Sequence, residues 1–261
     1  MHLYLKFFGL VLPSYGLMIT TGIITANILA FFCLLQEKKD INDFLILEAG
    51  GFLGAVLGAK LLYLAVSWKS INWEQMSLST FNQLMQGGFV FYGGLSGGVL
   101  ALFFTGKLLH LSALQYLKKY IFLIPWMHGF GRLGCYMAGC CYGIPYDGPG
   151  CVIFPDNSLA PTGIKLFPVQ LTEAVFLFII SVSLFFMWKK QLQDYTIPVY
   201  LIAYGILRFS LEFLRYDEER GFLWFFSTSQ WISILLIAAG ILFLWKMHFH
   251  KASFSAENSH Q

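Results

Sequence analysis

Seven stretches of roughly twenty mostly apolar residues, at 14–35, 43–66, 88–109, 112–130, 168–188, 196–214 and 229–247, dominate this chain. A helix needs about 20 such residues to cross the hydrocarbon core of a bilayer. Backbone in lipid must satisfy its own hydrogen bonds, so each stretch is predicted to be a helix. Of the 261 residues, 57% are hydrophobic and only 12% charged, about half the charged share of an average soluble domain. That supply cannot clothe a water-facing globule, which excludes a soluble enzyme, a secreted disulfide scaffold and a disordered chain. The expected fold class is all-α, a polytopic membrane protein with about seven transmembrane helices and a Gly/Cys-rich outer loop. Residues 1–251 are expected to form one transmembrane domain, followed by a short polar tail at 252–261. The net charge of +3 and the lack of a basic run give no reason to expect a nucleic-acid partner.

Basic residues near the span ends predict the orientation. Lys38, Lys39, Lys107, Lys118, Lys119, Lys189, Lys190, Lys246 and Lys251 fall on one side of a seven-fold crossing. Lys6, Lys69, Arg132, Lys165, Arg215 and Arg220 fall on the other. The expectation is an outside N-terminus and a cytoplasmic C-terminus.

The four arginines, Arg132, Arg208, Arg215 and Arg220, all lie at the predicted outer face or in the outward half of a span. Lysine suffices for topology, so arginine there asks for another reason. A guanidinium can hold phosphate oxygens bidentately, which an ammonium cannot. Arg215 and Arg220 also have a simpler use, pairing with Asp217, Glu218 and Glu219. Arg208 and Glu212 interrupt an apolar span at i, i+4, on one helical face. Charges inside a span are costly and usually face a polar interior. With Arg215 they are predicted to form one stripe over two turns. The pair either fixes helix packing by itself, or Glu212 orients an arginine that meets an anionic phospholipid headgroup.

Two glycine-rich segments break the apolar pattern. Gly87 to Gly98, with Gly93 and Gly94 at its centre, opens the third span. Such glycines let helices approach closely, and they leave amides near a helix N-terminus available to an anion. Tyr92 among them can donate to a phosphate, carry a proton weakly, or anchor at the interface. The second segment, from His128 to Gly143, sets Arg132 among glycines as an anion nest with a positive centre. Cys135, Cys140, Cys141 and Cys151, together with His128, are candidate zinc ligands, although the spacing C-x4-C-C-x9-C matches no zinc signature. No metal or cofactor is expected; a disulfide and tightly packed free thiols both remain open.

Along most of its length the chain resembles the bacterial prolipoprotein diacylglyceryl transferase family. Tyr15-Gly16-Leu17-Met18 is similar to its Y-G-L-M element, and Gly88 to Gly97 to its G-G-x-x-x-H-G-G-L-x-G run. Gly131-Arg132-Leu133-Gly134 and Gly143 match the ends of its G-R-x-G-N-x-x-x-G-E-x-x-G signature. Phe167 to Glu173 resembles its H-P-x-Q-L-x-E element. Arg208-Phe-x-x-Glu212-Phe-x-Arg215 and Ser229-Gln230-Trp231 resemble its last two markers.

The resemblance implies a seven-helix enzyme of the bacterial cytoplasmic membrane. Such an enzyme moves the diacylglyceryl group of phosphatidylglycerol to the Cys thiol of a lipoprotein precursor and releases glycerol phosphate. By position, Arg132 and Arg208 would hold or offset the phosphate, Tyr15 would line the site, and Glu212 with Arg215 would brace it. Tyr92 and Cys140 would stand at catalytic positions, and Gly93, Gly94, Cys135 and Gly143 at substrate-binding ones. Four positions depart from the family pattern: Tyr92 and Phe167 each replace a His, and Cys135 and Cys140 replace an Asn and a Glu. Tyrosine, with an unperturbed pKa of about 10, is a poor base at neutral pH. A relative that uses another acceptor, with Cys140 as its own nucleophile, and a non-catalytic lipid binder or transporter are the alternative readings.

Overall fold

The computed structural model describes residues 3–7, 10–68, 77–86, 88, 90–216 and 222–258. Lys69, Gly87, Asp217, Glu218, Glu219 and Arg220 lie outside the described residues. The chain begins with a hairpin of β1 (Tyr4–Phe7) and β2 (Leu10–Pro13), then α1 (Ser14–Glu37), α2 (Ile41–Ser67), α3 (Leu78–Gln86) and α4 (Phe91–Leu108). There follow α5 (Ala113–Tyr120), α6 (Leu123–Ala138), the paired strands β3 (Val152–Ile153) and β4 (Lys165–Leu166), and α7 (Val169–Lys189). The chain then continues through α8 (Gln193–Glu212), β5 (Phe222–Leu223), β6 (Phe226–Ser227) and α9 (Thr228–Asn258). Four helical segments among the described residues are long and apolar enough to cross a membrane: α1, α2, α7 and Thr228–Phe249 of α9. Their outer faces are apolar; Phe52, Leu53 and Leu57 of α2 and Phe176, Ile179 and Phe186 of α7 are all exposed. In water such faces would demand cover. This is a mainly helical, polytopic membrane protein; among the described residues the strands form three short antiparallel pairs.

The chain divides into two compact units, residues 34–117 and residues 1–33 with 118–261. In the first, glycines fix the packing of α2 on α4. A Cβ on Gly54 would lie 2.5 Å from the carbonyl oxygen of Gly97. Gly58 and Gly93 meet each other's carbonyls more closely still. Two small-xxx-small pairs interlock here, as close helix contact in a membrane requires. α5 is tied to the start of α2 by Tyr116, whose hydroxyl donates to Asp43 Oδ2 at 3.3 Å.

In the second unit, α6 packs on α7 and α8 on α9. Trp126 of α6 donates to Thr25 of α1 at 2.9 Å, and Gly22 of α1 lies so close to Phe130 that a Cβ would sit 2.7 Å from the Phe130 side chain. The apolar stretch at 112–130 is not one helix but two, separated at Ile121 and Phe122. Pro125 is the reason: it has no N–H to continue the ladder and is tolerated only in a helix's first turn. Two hydroxyls brace the break: Ser181 donates to Phe122 O at 2.7 Å and Thr196 to Lys118 O at 2.5 Å. Restarting the helix at Leu123 carries it to Ala138, so the Gly-Arg-Leu-Gly segment expected in a loop is helical. Beyond it, the segment to Pro168 forms a small cap around Phe154, Ala160 and Leu166.

Candidate active site

Arg132 lies on α6, and its Nε is 3.0 Å from Glu173 Oε1. Glu173 sits in the second turn of α7 with no exposed surface. Its other oxygen lies 4.0 Å from Nη1 of Arg208 on α8. Arg208 Nη2 is 2.8 Å from Glu212 Oε2 and donates to Ser229 Oγ at 3.0 Å. Four charged side chains from three helices therefore meet in one buried cluster, the two arginines balancing the two carboxylates. The predicted pairing of Arg208 with Glu212 is present. Arg208 Nη1, buried, has no hydrogen-bond partner among the described residues. A buried guanidinium nitrogen in that state is a donor held ready for an acceptor that enters.

Local sequence explains how each group is delivered. Ser227 and Gln230 close a reciprocal capping box: the Ser227 amide donates to Gln230 Oε1 at 3.0 Å and the Gln230 amide to Ser227 Oγ at 3.2 Å. That cap fixes the first turn of α9 and with it Ser229. Gln170, in the first turn of α7, donates to the carbonyl of Cys140 at 2.7 Å, so the turn that carries Glu173 is anchored to the end of α6. α8 stops at Glu212, and Arg215 bridges Gly143 instead of extending the helical stripe. The residues there pair as strands, with Ile144 N donating to Leu214 O at 2.9 Å and Tyr216 N to Tyr142 O at 3.2 Å. Gly143 sits inside this pairing, where a Cβ would be 2.8 Å from Leu214 O and nearer still to Phe167 O.

The cysteines divide. The Sγ atoms of Cys135, Cys140 and Cys141 all lie within 4.8 Å of one another; Cys151 is not among them. Gly139, left-handed at φ 79°, caps α6 and turns the chain back over Cys135. Hydrogen bonds from Cys135 and Cys140 hold the Cys141 thiol well below the usual thiol range, with Arg215 and Arg132 acting in the same direction. Hydrogen bonds with Cys135 and Cys141, together with burial, push Cys140 upward. Tyr15, at the start of α1, packs against Gly134, whose Cβ would lie 3.0 Å from the tyrosine ring. Tyr92, Gly93 and Gly94 belong to the other unit, in the first turn of α4.

The model of the family described as prolipoprotein diacylglyceryl transferase matches residues 3–246. A Clostridium perfringens protein named phosphatidylglycerol–prolipoprotein diacylglyceryl transferase 2 is 36% identical over 242 residues, covering 91% of each chain. The chain belongs to the prolipoprotein diacylglyceryl transferase family. Similarly named proteins of Clostridium tetani and Finegoldia magna are 35% and 27% identical, covering 90% of this chain and 93% and 91% of theirs. In this diacylglyceryl transferase family member, the elements that carried the resemblance converge: Arg132, Glu173, Arg208, Glu212 and Ser229 come from four of them. Glu173 and His128 had no assigned role in the sequence-based site, although a carboxylate a few residues inside an apolar run is itself a signal. His128 packs its ring on Tyr204 at 5.4 Å and points Nε2 to Glu173 Oε1 at 3.9 Å.

Proposed function

We propose that this protein transfers the diacylglyceryl group of phosphatidylglycerol to the cysteine thiol of a lipoprotein precursor. The observation that carries this reading is the buried Arg132–Glu173–Arg208 cluster. In the transfer, the acceptor sulfur forms a bond to the diacylglyceryl carbon, the carbon–oxygen bond to phosphate breaks, and the thiol proton passes to a base or to water. The phosphodiester enters with one negative charge and leaves as glycerol phosphate with a second. Preorganised guanidinium groups in a water-poor site act on that added charge where it develops. Glu173 sets the two arginines in place, and Arg208 Nη1 offers the donor. Arg132 and Arg208 are the catalytic residues of this reading, Tyr15 and Gly143 shape the site, and Glu212 with Arg215 braces it.

The basic residues following α1, α7 and the apolar part of α9 support an outside N-terminus and a cytoplasmic C-terminus. The enzyme then works from the outer side of the bacterial cytoplasmic membrane on an anionic phospholipid and a precursor peptide.

Proteoliposomes containing the protein, phosphatidylglycerol labelled in its acyl chains and a lipobox peptide test the reading. Label is expected to move to the peptide, and to stop moving when the peptide's Cys is replaced by Ser. Transfer that persists without the peptide thiol but disappears in Cys140→Ser would instead support the reading in which the protein supplies its own nucleophile.

A further inference from the structure

The three clustered thiols have no part in the proposed transfer. They stand at the C-terminal end of α6 and in the turn after it: Cys135 in the last turn, then Cys140 and Cys141 beyond the left-handed Gly139. Two features hold this turn in shape. Gln170 pins the Cys140 carbonyl at 2.7 Å, and Cys141 adopts φ 58°, a left-handed conformation that costs a non-glycine residue about 1–2 kcal/mol. The backbone thus spends strain to aim a third sulfur at the other two.

We propose that Cys135, Cys140 and Cys141 form a trigonal three-thiolate site for a thiophilic d10 cation, with Cu(I) the fitting first-row ion. Metal–thiolate bonds of about 2.3 Å place the sulfurs of a planar three-coordinate site about 4.0 Å apart. The three Sγ atoms, all within 4.8 Å of one another, need only small rotamer shifts to reach that spacing. Sulfur donors select soft cations. A closed structural zinc site needs a fourth protein ligand, and no further Cys, His or carboxylate joins the three among the described residues. Binding converts three thiols and one monovalent cation into a complex of charge −2 and releases three protons. Arg132 and Arg215 act electrostatically on this cluster and offset part of that charge. Bound metal would cross-link the end of α6 to the turn that Gln170 ties to α7. The site stands whether or not the transfer reading holds, because its readout is metal binding.

The test is anaerobic titration of the reduced, detergent-solubilised full chain with Cu(I) against a chromophoric chelator, with X-ray absorption on the loaded protein. One Cu(I) per chain is expected, with three sulfur neighbours at about 2.3 Å. Affinity should fall at least 100-fold in Cys135→Ser, Cys140→Ser and Cys141→Ser, and stay unchanged in Cys33→Ser and Cys151→Ser. Zn(II) in tenfold excess should not displace the copper. Absence of stoichiometric binding, a two-sulfur or four-sulfur shell in the wild-type protein, displacement by Zn(II), or binding indifferent to all three serine variants would overturn the proposal. The absorption measurement decides the coordination even if a variant fails to fold.

Discussion

Glu173 Oε1 lies 3.0 Å from Arg132 Nε, while the second oxygen of the same carboxylate lies 4.0 Å from Arg208 Nη1. One carboxylate on α7 therefore stands between guanidinium groups on α6 and α8. A buried charge is tolerated when paired and hydrogen-bonded and is expensive when it is not. The cluster meets that demand by balancing two arginines with two carboxylates.

Glu173→Gln removes the charge and keeps the shape. Breaking a buried pair costs about 3–5 kcal/mol, so thermal unfolding in detergent should shift downward. Transfer should fall by about 100-fold or more, the scale of losing a preorganised electrostatic group. Unchanged melting and unchanged turnover together would show that the carboxylate organises nothing.

Arg208→Lys keeps one charge but not the two-nitrogen fork in which Nη2 meets Glu212 at 2.8 Å and Ser229 at 3.0 Å while Nη1 has no hydrogen-bond partner among the described residues. A point-charge ammonium cannot hold both and still present a planar donor. Transfer is expected to drop nearly as far in Arg208→Lys as in Arg208→Ala, with insertion into the membrane preserved in both. Lysine that restores most of the activity would mean that charge alone is used.

Two glycines of the same motif should respond oppositely to a methyl group. Gly143 has backbone oxygens of Phe167 and Leu214 where a Cβ would go, whereas Gly131 has nothing within 4 Å. Gly143→Ala should destabilise by about 1–3 kcal/mol through overpacking. Gly131→Ala, in the interior of α6, should be neutral or stabilise by up to about 1 kcal/mol. Chemical or thermal denaturation of the pair in one detergent checks the contrast.

Much of the architecture was legible because lipid leaves the backbone few choices. The apolar runs mark the helices, and the glycines of residues 87–98 mark where one of them is closely approached, while the partner glycines Gly54 and Gly58 emerge only from the fold. The break before α6 was written in Pro125, but inside an apolar stretch its effect depends on whether Ser181 and Thr196 can brace the break, and those are distant in sequence. The arginines of the site were visible as charges out of place. Glu173 was less visible, since a glutamate near a span end also reads as an interface residue; only the fold shows it fully buried between two guanidinium groups. The cysteine spacing hid the thiol cluster, because the left-handed turn at Gly139 brings Cys135 beside residues five and six positions later.

The thiols should titrate apart. Cys141, held below the usual thiol range mainly by hydrogen bonds from Cys135 and Cys140, is expected to lose its proton at lower pH than Cys140, which is pushed upward. The thiolate is the reactive form. In metal-free, reduced protein, iodoacetamide at pH 6 should therefore mark Cys141 ahead of Cys140, as read by peptide mass spectrometry. Equal labelling that grows only above pH 8 would contradict the assignment.

In the proposed reaction Arg132 and Arg208, set by Glu173, grip an anionic headgroup. The most direct measurement is release of glycerol phosphate from labelled phosphatidylglycerol by Arg132→Ala in proteoliposomes, with insertion and melting measured on the same preparation. The account predicts that turnover falls by about 100-fold or more while the protein remains inserted and folded. Turnover at the wild-type rate in that folded variant would contradict it.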